Sequence, residues 1–154
     1  MVKPFFSIPD TCWEMIISHL RKDLSREACG LLGGRFDSDG SAQVFQVYPG
    51  TNTHTHPNAN YLLDPRDQYS AMKDIRKKKL QLVGIYHSHP HTPPDISLQD
   101  IERAYSPSVF YLIVSLSNPG FPQIRNYRIS GNTASEHPFL LGNTRFDPDP
   151  RDFS

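Results

Sequence analysis

The stretch His87-Ser88-His89-Pro90-His91-Thr92-Pro93-Pro94-Asp95-Ile96-Ser97-Leu98-Gln99-Asp100 gathers side chains that bind metals and move protons. It continues the run Leu80-Gln81-Leu82-Val83-Gly84-Ile85-Tyr86, which reads as a strand from a sheet centre because it is apolar on both faces at its start. Side chains alternate along a strand, so His87 and His89 emerge on one face, two rises of roughly 3.3 Å apart. Two imidazoles so placed can converge on one cation. A catalytic zinc takes three protein ligands and leaves the fourth position to water. Asp100 is the candidate third ligand, returned by the proline-rich loop on the first turn of a helix that begins at Ser97.

Each fragment alone also has a plainer explanation. Ser97-Leu98-Gln99-Asp100 fits a capping box, in which the serine and the carboxylate each accept from the other's backbone N–H, with no metal needed. Two histidines at a strand end can be surface or hydrogen-bonded residues. Ser88 points to the opposite face and is expected to hydrogen-bond behind the ligands rather than to hold a metal. A second His-x-His, His54-Thr55-His56, lies in an Asn-, Thr- and Pro-rich stretch without a carboxylate at a fixed downstream spacing. It reads as a solvated loop able to touch substrate near a cleft. His91, past Pro90, reads as rim.

The whole pattern is more specific than its parts. His87-Ser88-His89, seven residues, Ser97, two residues, Asp100 resembles the signature of the JAMM (MPN-plus, JAB-type) zinc metallopeptidases. Upstream, Arg26-Glu27-Ala28-Cys29-Gly30-Leu31-Leu32-Gly33-Gly34 resembles the Glu-x-Cys-Gly-Leu-Leu-Gly form of the small stand-alone prokaryotic members. Asn58 to Pro65 and Val109 to Leu116 resemble further family segments, so the likeness spans roughly residues 10 to 130. One departure is local, since Ile96 stands where close prokaryotic relatives usually carry proline.

The resemblance implies an α/β (mixed α+β) fold with a central mixed, curved sheet flanked by helices, in the cytidine-deaminase-like architecture. It implies one Zn²⁺ per chain, held by His87, His89 and Asp100, with Glu27 and Ser97 as catalytic residues. Glu27 would take a proton from the attacking water and pass it to the leaving amine, and Ser97 would face the developing oxyanion. Without the resemblance, Glu27 would read as a surface carboxylate paired with Arg26 or Lys22.

The implied substrate is a ubiquitin-like or sulfur-carrier protein, cut at a peptide or isopeptide bond after its C-terminal Gly-Gly. Such a tail could add as a strand beside a sheet edge and slide its glycines past a narrow site. Large deubiquitinating members carry a second insertion after the motif, whereas only eight residues separate Asp100 from Val109 here. A compact prokaryotic processing enzyme is therefore expected, with a ubiquitin-type isopeptidase and a non-catalytic interaction scaffold as alternatives. A scaffold has no need for Glu27, His87, His89, Ser97 and Asp100 together.

Elements that could position these residues are legible. Trp13, Ile16, Ile17, Leu20 and Leu24 recur at helical spacing and predict a first helix over about 9–24. The stretch 28–36, the turn Asp37-Ser38-Asp39-Gly40 and the alternating 42–48 predict a hairpin. Asp64-Pro65 starts a second helix ending near Lys79, with Tyr69, Met72 and Ile75 as its apolar stripe. A short helix from Ser97, with Leu98, Ile101 and Tyr105 on one side, precedes strands over 109–116 and 123–129.

At 154 residues the chain suits a single domain, taken as 1–137, with 138–154 expected to be an irregular tail. Lys plus Arg and Asp plus Glu are 16 each, which offers no field to attract nucleic acid or an anionic membrane. The basic run Arg76-Lys77-Lys78-Lys79 reads as a solvated helix end. No window approaches the roughly 18 apolar residues of a membrane span, and the N-terminal stretch is broken by Pro4, Ser7, Pro9 and Asp10, so a cytoplasmic protein is expected. Cys12 and Cys29 read as core thiols. The oligomeric state is left open, a homodimer included.

Overall fold

The computed structural model describes residues 3–58 and 60–148. In chain order its elements are β1 (Phe6–Ile8), α1 (Asp10–Arg21), β2 (Cys29–Phe36), β3 (Ala42–Pro49), α2 (Pro65–Lys77) and β4 (Gln81–His89). Then come α3 (Leu98–Glu102), β5 (Phe110–Ser115), β6 (Gln123–Ser130), β7 (Thr133–Glu136), β8 (Phe139–Leu141) and β9 (Thr144–Phe146). The strands form one mixed sheet in the order β7-β6-β5-β4-β2-β3-β1-β8-β9. Interior to it, β4 runs antiparallel to β2 and parallel to β5. The mixed α+β class implied by the resemblance is the one observed.

The sheet buries apolar side chains on both faces. On one, Phe6, Ile16, Leu20, Leu32, Tyr86, Phe110 and Leu112 form the larger core beneath α1. On the other, Val109, Tyr111, Ile113, Tyr127 and Ile129 pack with Ile85 and Ile101. The period-two alternation of β5 divides its residues between the two cores, and every one of them is buried. Cys12 and Cys29 are buried free thiols, as expected.

Helix α1 stops at Arg21 rather than reaching Leu24, which is 38% exposed. The Asp23 carboxylate accepts from both the backbone N–H and the hydroxyl of Ser25, a local turn that competes with the helix. In α2, Asp64 caps Arg66 N–H at 2.9 Å and Pro65 occupies the first turn, as predicted. Its buried side chains, however, are Ala71 and Ile75, an i,i+4 pair. Tyr69 precedes that face by two residues, so it points away and is 71% exposed. Likewise Leu98 and Tyr105 face solvent, because the short α3 is set to bury Asp100 instead. The basic run ends α2 in the exposed state expected of it.

The expected irregular tail is corrected over its first part. β8 pairs in parallel with β1, and β9 folds back on β8, stacking Phe146 on Phe139 with ring centroids 4.8 Å apart. Strands of three residues carry too little pattern to be read, and their partner β1 lies at the other end of the sequence. Residues 149–154, also part of that expectation, lie outside the described residues. Among the described residues, no helix is long and apolar enough to cross a membrane.

One glycine fixes the geometry behind the site. Gly30 on β2 faces Tyr86 on β4, and a Cβ there would lie 2.4 Å from the ring. The open space lets the Tyr86 hydroxyl reach His19 Nδ1 of α1 at 2.7 Å. Gly30→Ala is expected to lower stability by about 1–3 kcal/mol through overpacking, read as a fall of several degrees in Tm. An unchanged Tm would show that Tyr86 has another place to go.

Candidate active site

The fold brings Glu27, His87, His89, Ser97 and Asp100 to the C-terminal end of β4. His87 and His89 leave the same strand face, with their Nε2 atoms 3.2 Å apart. Tyr86 and Ser88 leave the opposite face. There Ser88 Oγ accepts the N–H of Ala28 and its own N–H donates to the Ala28 carbonyl, both at 2.9 Å. The residue between the histidines thus ties β4 to the backbone next to Glu27.

Asp100 arrives on α3. Its carboxylate reaches His87 Nε2 at 3.2 Å through Oδ1 and His89 Nε2 at 3.5 Å through Oδ2. The capping box is also formed. Ser97 Oγ accepts from Asp100 N–H, and Asp100 Oδ2 accepts from Ser97 N–H, each at 3.0 Å. The two readings of this pair, cap and site, therefore coexist in one geometry. Capping uses a lone pair of the Ser97 hydroxyl, not its O–H donor.

His89 Nδ1 lies 2.8 Å from the Pro93 carbonyl. An acceptor there holds the proton on Nδ1 and turns the Nε2 lone pair toward the cluster. His87 is oriented differently. Its Nδ1 is buried without a hydrogen-bond partner, and the Tyr61 ring stacks on the imidazole with centroids 4.5 Å apart and planes at 28°.

Glu27 is 6% exposed, and its carboxylate falls within 4.8 Å of ligand atoms on both histidines, so that these three residues could hold a metal ion. Burial pushes its carboxyl up, the more so with Asp100 nearby, while the two imidazoles and Arg103 work against the rise. Burial would also raise Asp100, but hydrogen bonds with His87 and His89 outweigh it and hold that carboxyl well below the usual range. His89 is opposed by burial yet raised overall by Asp100 and the Pro93 carbonyl. Two carboxylates and two imidazoles withdrawn from water suit a bound cation.

The separations distinguish two ways of filling such a site. Ligand bonds of about 2.0–2.1 Å at tetrahedral angles put ligand atoms roughly 3.3–3.4 Å apart. The His87–His89 Nε2 separation of 3.2 Å matches such an edge, and the Asp100 carboxylate faces each imidazole with a different oxygen, Oδ1 at 3.2 Å from His87 and Oδ2 at 3.5 Å from His89. Among the described residues Glu27 forms no ion pair with either imidazole and stands farther from them than Asp100 does, within 4.8 Å. The residues present fit a tetrahedral divalent metal.

The mouth beside the cluster is a cavity of about 140 Å³ touching Asn58, Pro90, His91, Thr92 and Gln99 as well as Glu27, His89 and Ser97. His91 sits on this rim, as expected. His54 does not line it; its Nε2 lies 3.2 Å from Arg103. Sequence reasoning missed the residues that organise this side: Asn52, Tyr61 and Arg103. Their signals were an asparagine in a loop, an aromatic before a helix and a cation after one, and none has a spacing that points to the site.

With this geometry in view, likeness to known proteins is informative. The family model described as prokaryotic homologs of the JAB domain matches residues 9–130. The desampylase of Haloferax volcanii is 39% identical over 106 residues, covering 66% of this chain and 74% of that protein. The CysO-cysteine peptidase of Mycobacterium tuberculosis is 32% identical over 123 residues, covering 80% and 82%. A solution structure of a protein from Desulfitobacterium hafniense superposes with a TM-score of 0.80 at 38% identity, covering 89% of this chain and 92% of that one. The family model spans most of the chain, which belongs to the prokaryotic homologs of the JAB domain.

Proposed function

We propose that the protein is a zinc-dependent peptidase that cuts after the C-terminal Gly-Gly of a ubiquitin-like or sulfur-carrier protein. The observation carrying the chemistry is the convergence of the His87 and His89 Nε2 atoms, 3.2 Å apart, with the Asp100 carboxylate at 3.2 and 3.5 Å from them and the buried Glu27 carboxylate within 4.8 Å of both histidines. In this reading those three residues are the metal ligands, Glu27 the general base and acid, and Ser97 the oxyanion donor. The substrate class is supported by the names of similar proteins, a desampylase, a CysO-cysteine peptidase and a probable TtuB-protein conjugate cleaving protease. It is also supported by the narrow mouth, which suits glycine better than larger residues.

Zinc, when bound, supplies Lewis acidity and lowers the pKa of water toward neutrality. Glu27 then accepts a proton from the water attacking the carbonyl carbon and returns it to the leaving nitrogen as the C–N bond breaks. Its burial, which raises its affinity for a proton, favours the first half of that cycle, the uptake of the proton. The Ser97 O–H donates to the carbonyl oxygen as it gains charge. The cap fixes where that hydroxyl sits, so a structural hydrogen bond also serves orientation.

The buried free thiols suit a reducing compartment, and cytoplasmic residence belongs to this reading. Purified protein is expected to hold about one zinc per chain and to cleave a carrier protein bearing a short extension after Gly-Gly. Chelation abolishes cleavage and added zinc restores it. Protein that takes up no zinc after reconstitution, or that holds zinc yet leaves a panel of such fusions intact, would overturn the reading.

A further inference from the structure

Glu27 lies two residues before β2, where it is not a member of the sheet ladder. Its backbone is held from elsewhere. The Glu27 N–H donates to the Pro57 carbonyl at 2.6 Å, and the Glu27 carbonyl accepts from Asn52 Nδ2 at 2.7 Å. Both partners come from the segment between β3 and α2.

Asn52 is 8% exposed and every hydrogen-bonding position of its amide is used. Nδ2 also donates to the Asn60 carbonyl at 2.8 Å, while Oδ1 accepts the N–H groups of His54 at 3.0 Å and Leu62 at 2.9 Å. Two carbonyls on one side and two N–H groups on the other fix which way the amide faces. Backbone bonds from Thr53 N–H to the Leu62 carbonyl and from Asp64 N–H to the Thr51 carbonyl close the segment into an arch around this amide.

The far side of the arch reaches the metal-ligand side of the cluster. Tyr61 stacks on His87, and its carbonyl accepts from Arg103 at 3.0 Å. Arg103 is the C-cap of α3, the helix that carries Asp100. Residues 51–58 and 60–63 thus form a strap tied to Glu27 at one end and to α3 at the other.

We infer that Asn52 is a positioning residue for Glu27: through the strap, its amide sets the distance between the base and the ligand cluster. This rests on the reading of Glu27 as the base. Asn52 touches none of the proposed ligands, so its role is separable from metal binding. It also does not line the mouth, so loss of its hydrogen bonds acts on turnover more than on substrate affinity.

Asn52→Asp keeps the shape but loses both donors, and Asn52→Ser, which is smaller and uncharged, provides a second test should the aspartate not fold. The folded variant is expected to bind zinc stoichiometrically, with kcat on a Gly-Gly fusion reduced about 10- to 100-fold and KM changed by less than about threefold. Hydrogen exchange should quicken at the amides of Glu27, His54 and Leu62 and stay unchanged in β4. That readout needs no activity: if wild-type protein cleaves nothing, the base assignment fails, yet exchange still reports whether Asn52 holds the Glu27 backbone. Unchanged exchange at Glu27, wild-type kcat in a folded variant, or loss of zinc in place of turnover would each overturn the inference.

Discussion

Glu27→Gln is expected to lower cleavage of a Gly-Gly fusion by about 10²- to 10⁴-fold, the range for loss of a general acid–base, with zinc still bound at one per chain. Glutamine matches glutamate in size, so the buried position near His87 and His89 stays filled. Its amide oxygen is a far weaker proton acceptor than a carboxylate, and its NH₂ cannot return a proton to the leaving nitrogen. Metal retention follows from the proposed ligand set, because the contacts among His87, His89 and Asp100 do not involve residue 27. Paired metal analysis and single-turnover cleavage decide the matter. Zinc loss in this variant would make Glu27 a ligand, an arrangement its position within 4.8 Å of both histidines would then explain. Wild-type turnover would remove it from the chemistry.

The second large effect concerns the ligands. Asp100→Asn should weaken zinc binding by at least about 100-fold, beyond the 10–100-fold usual for losing a group that only supports a ligand, and activity should fall in parallel. The substitution separates the two duties of Asp100. An asparagine oxygen can still accept the Ser97 N–H at 3.0 Å, so the start of α3 should persist while the negative charge between the imidazoles is gone. His87→Ala should also empty the site, with an added stability loss because the Tyr61 ring loses the surface it stacks on. Titration of the apo-proteins with zinc, alongside circular dichroism, provides the check. An Asp100→Asn protein with wild-type zinc affinity would leave Asp100 as a capping residue alone and shift the third ligand to Glu27.

These substitutions test residues that the sequence names directly, because their signal is local or of fixed spacing. Alternation along β4 is enough to put His87 and His89 on one face and Ser88 on the other, and the structure obeys it. A Ser-x-x-Asp pattern writes the capping box into four residues, and Asp64-Pro65 writes the start of α2 in two. The central strands are legible for the same reason. Buried on both faces, β4 and β5 have to be apolar along most of their length.

Tertiary structure decided what depends on partners distant in the chain. β8 exists because β1, more than 130 residues earlier, offers it an edge, and three residues carry no period that announces this. Tyr69 and Leu98 look like core residues by type, but which side of a short helix is buried depends on what lies beneath it. The strap shows the same limit at the site. Asn52 reads as one more polar loop residue until folding surrounds it with two carbonyls and two N–H groups, and a buried amide is stable there only because all four are satisfied. The chemistry was thus written in spacings of two to ten residues. The holding of Glu27 against that chemistry was settled only by contacts that no local pattern encodes.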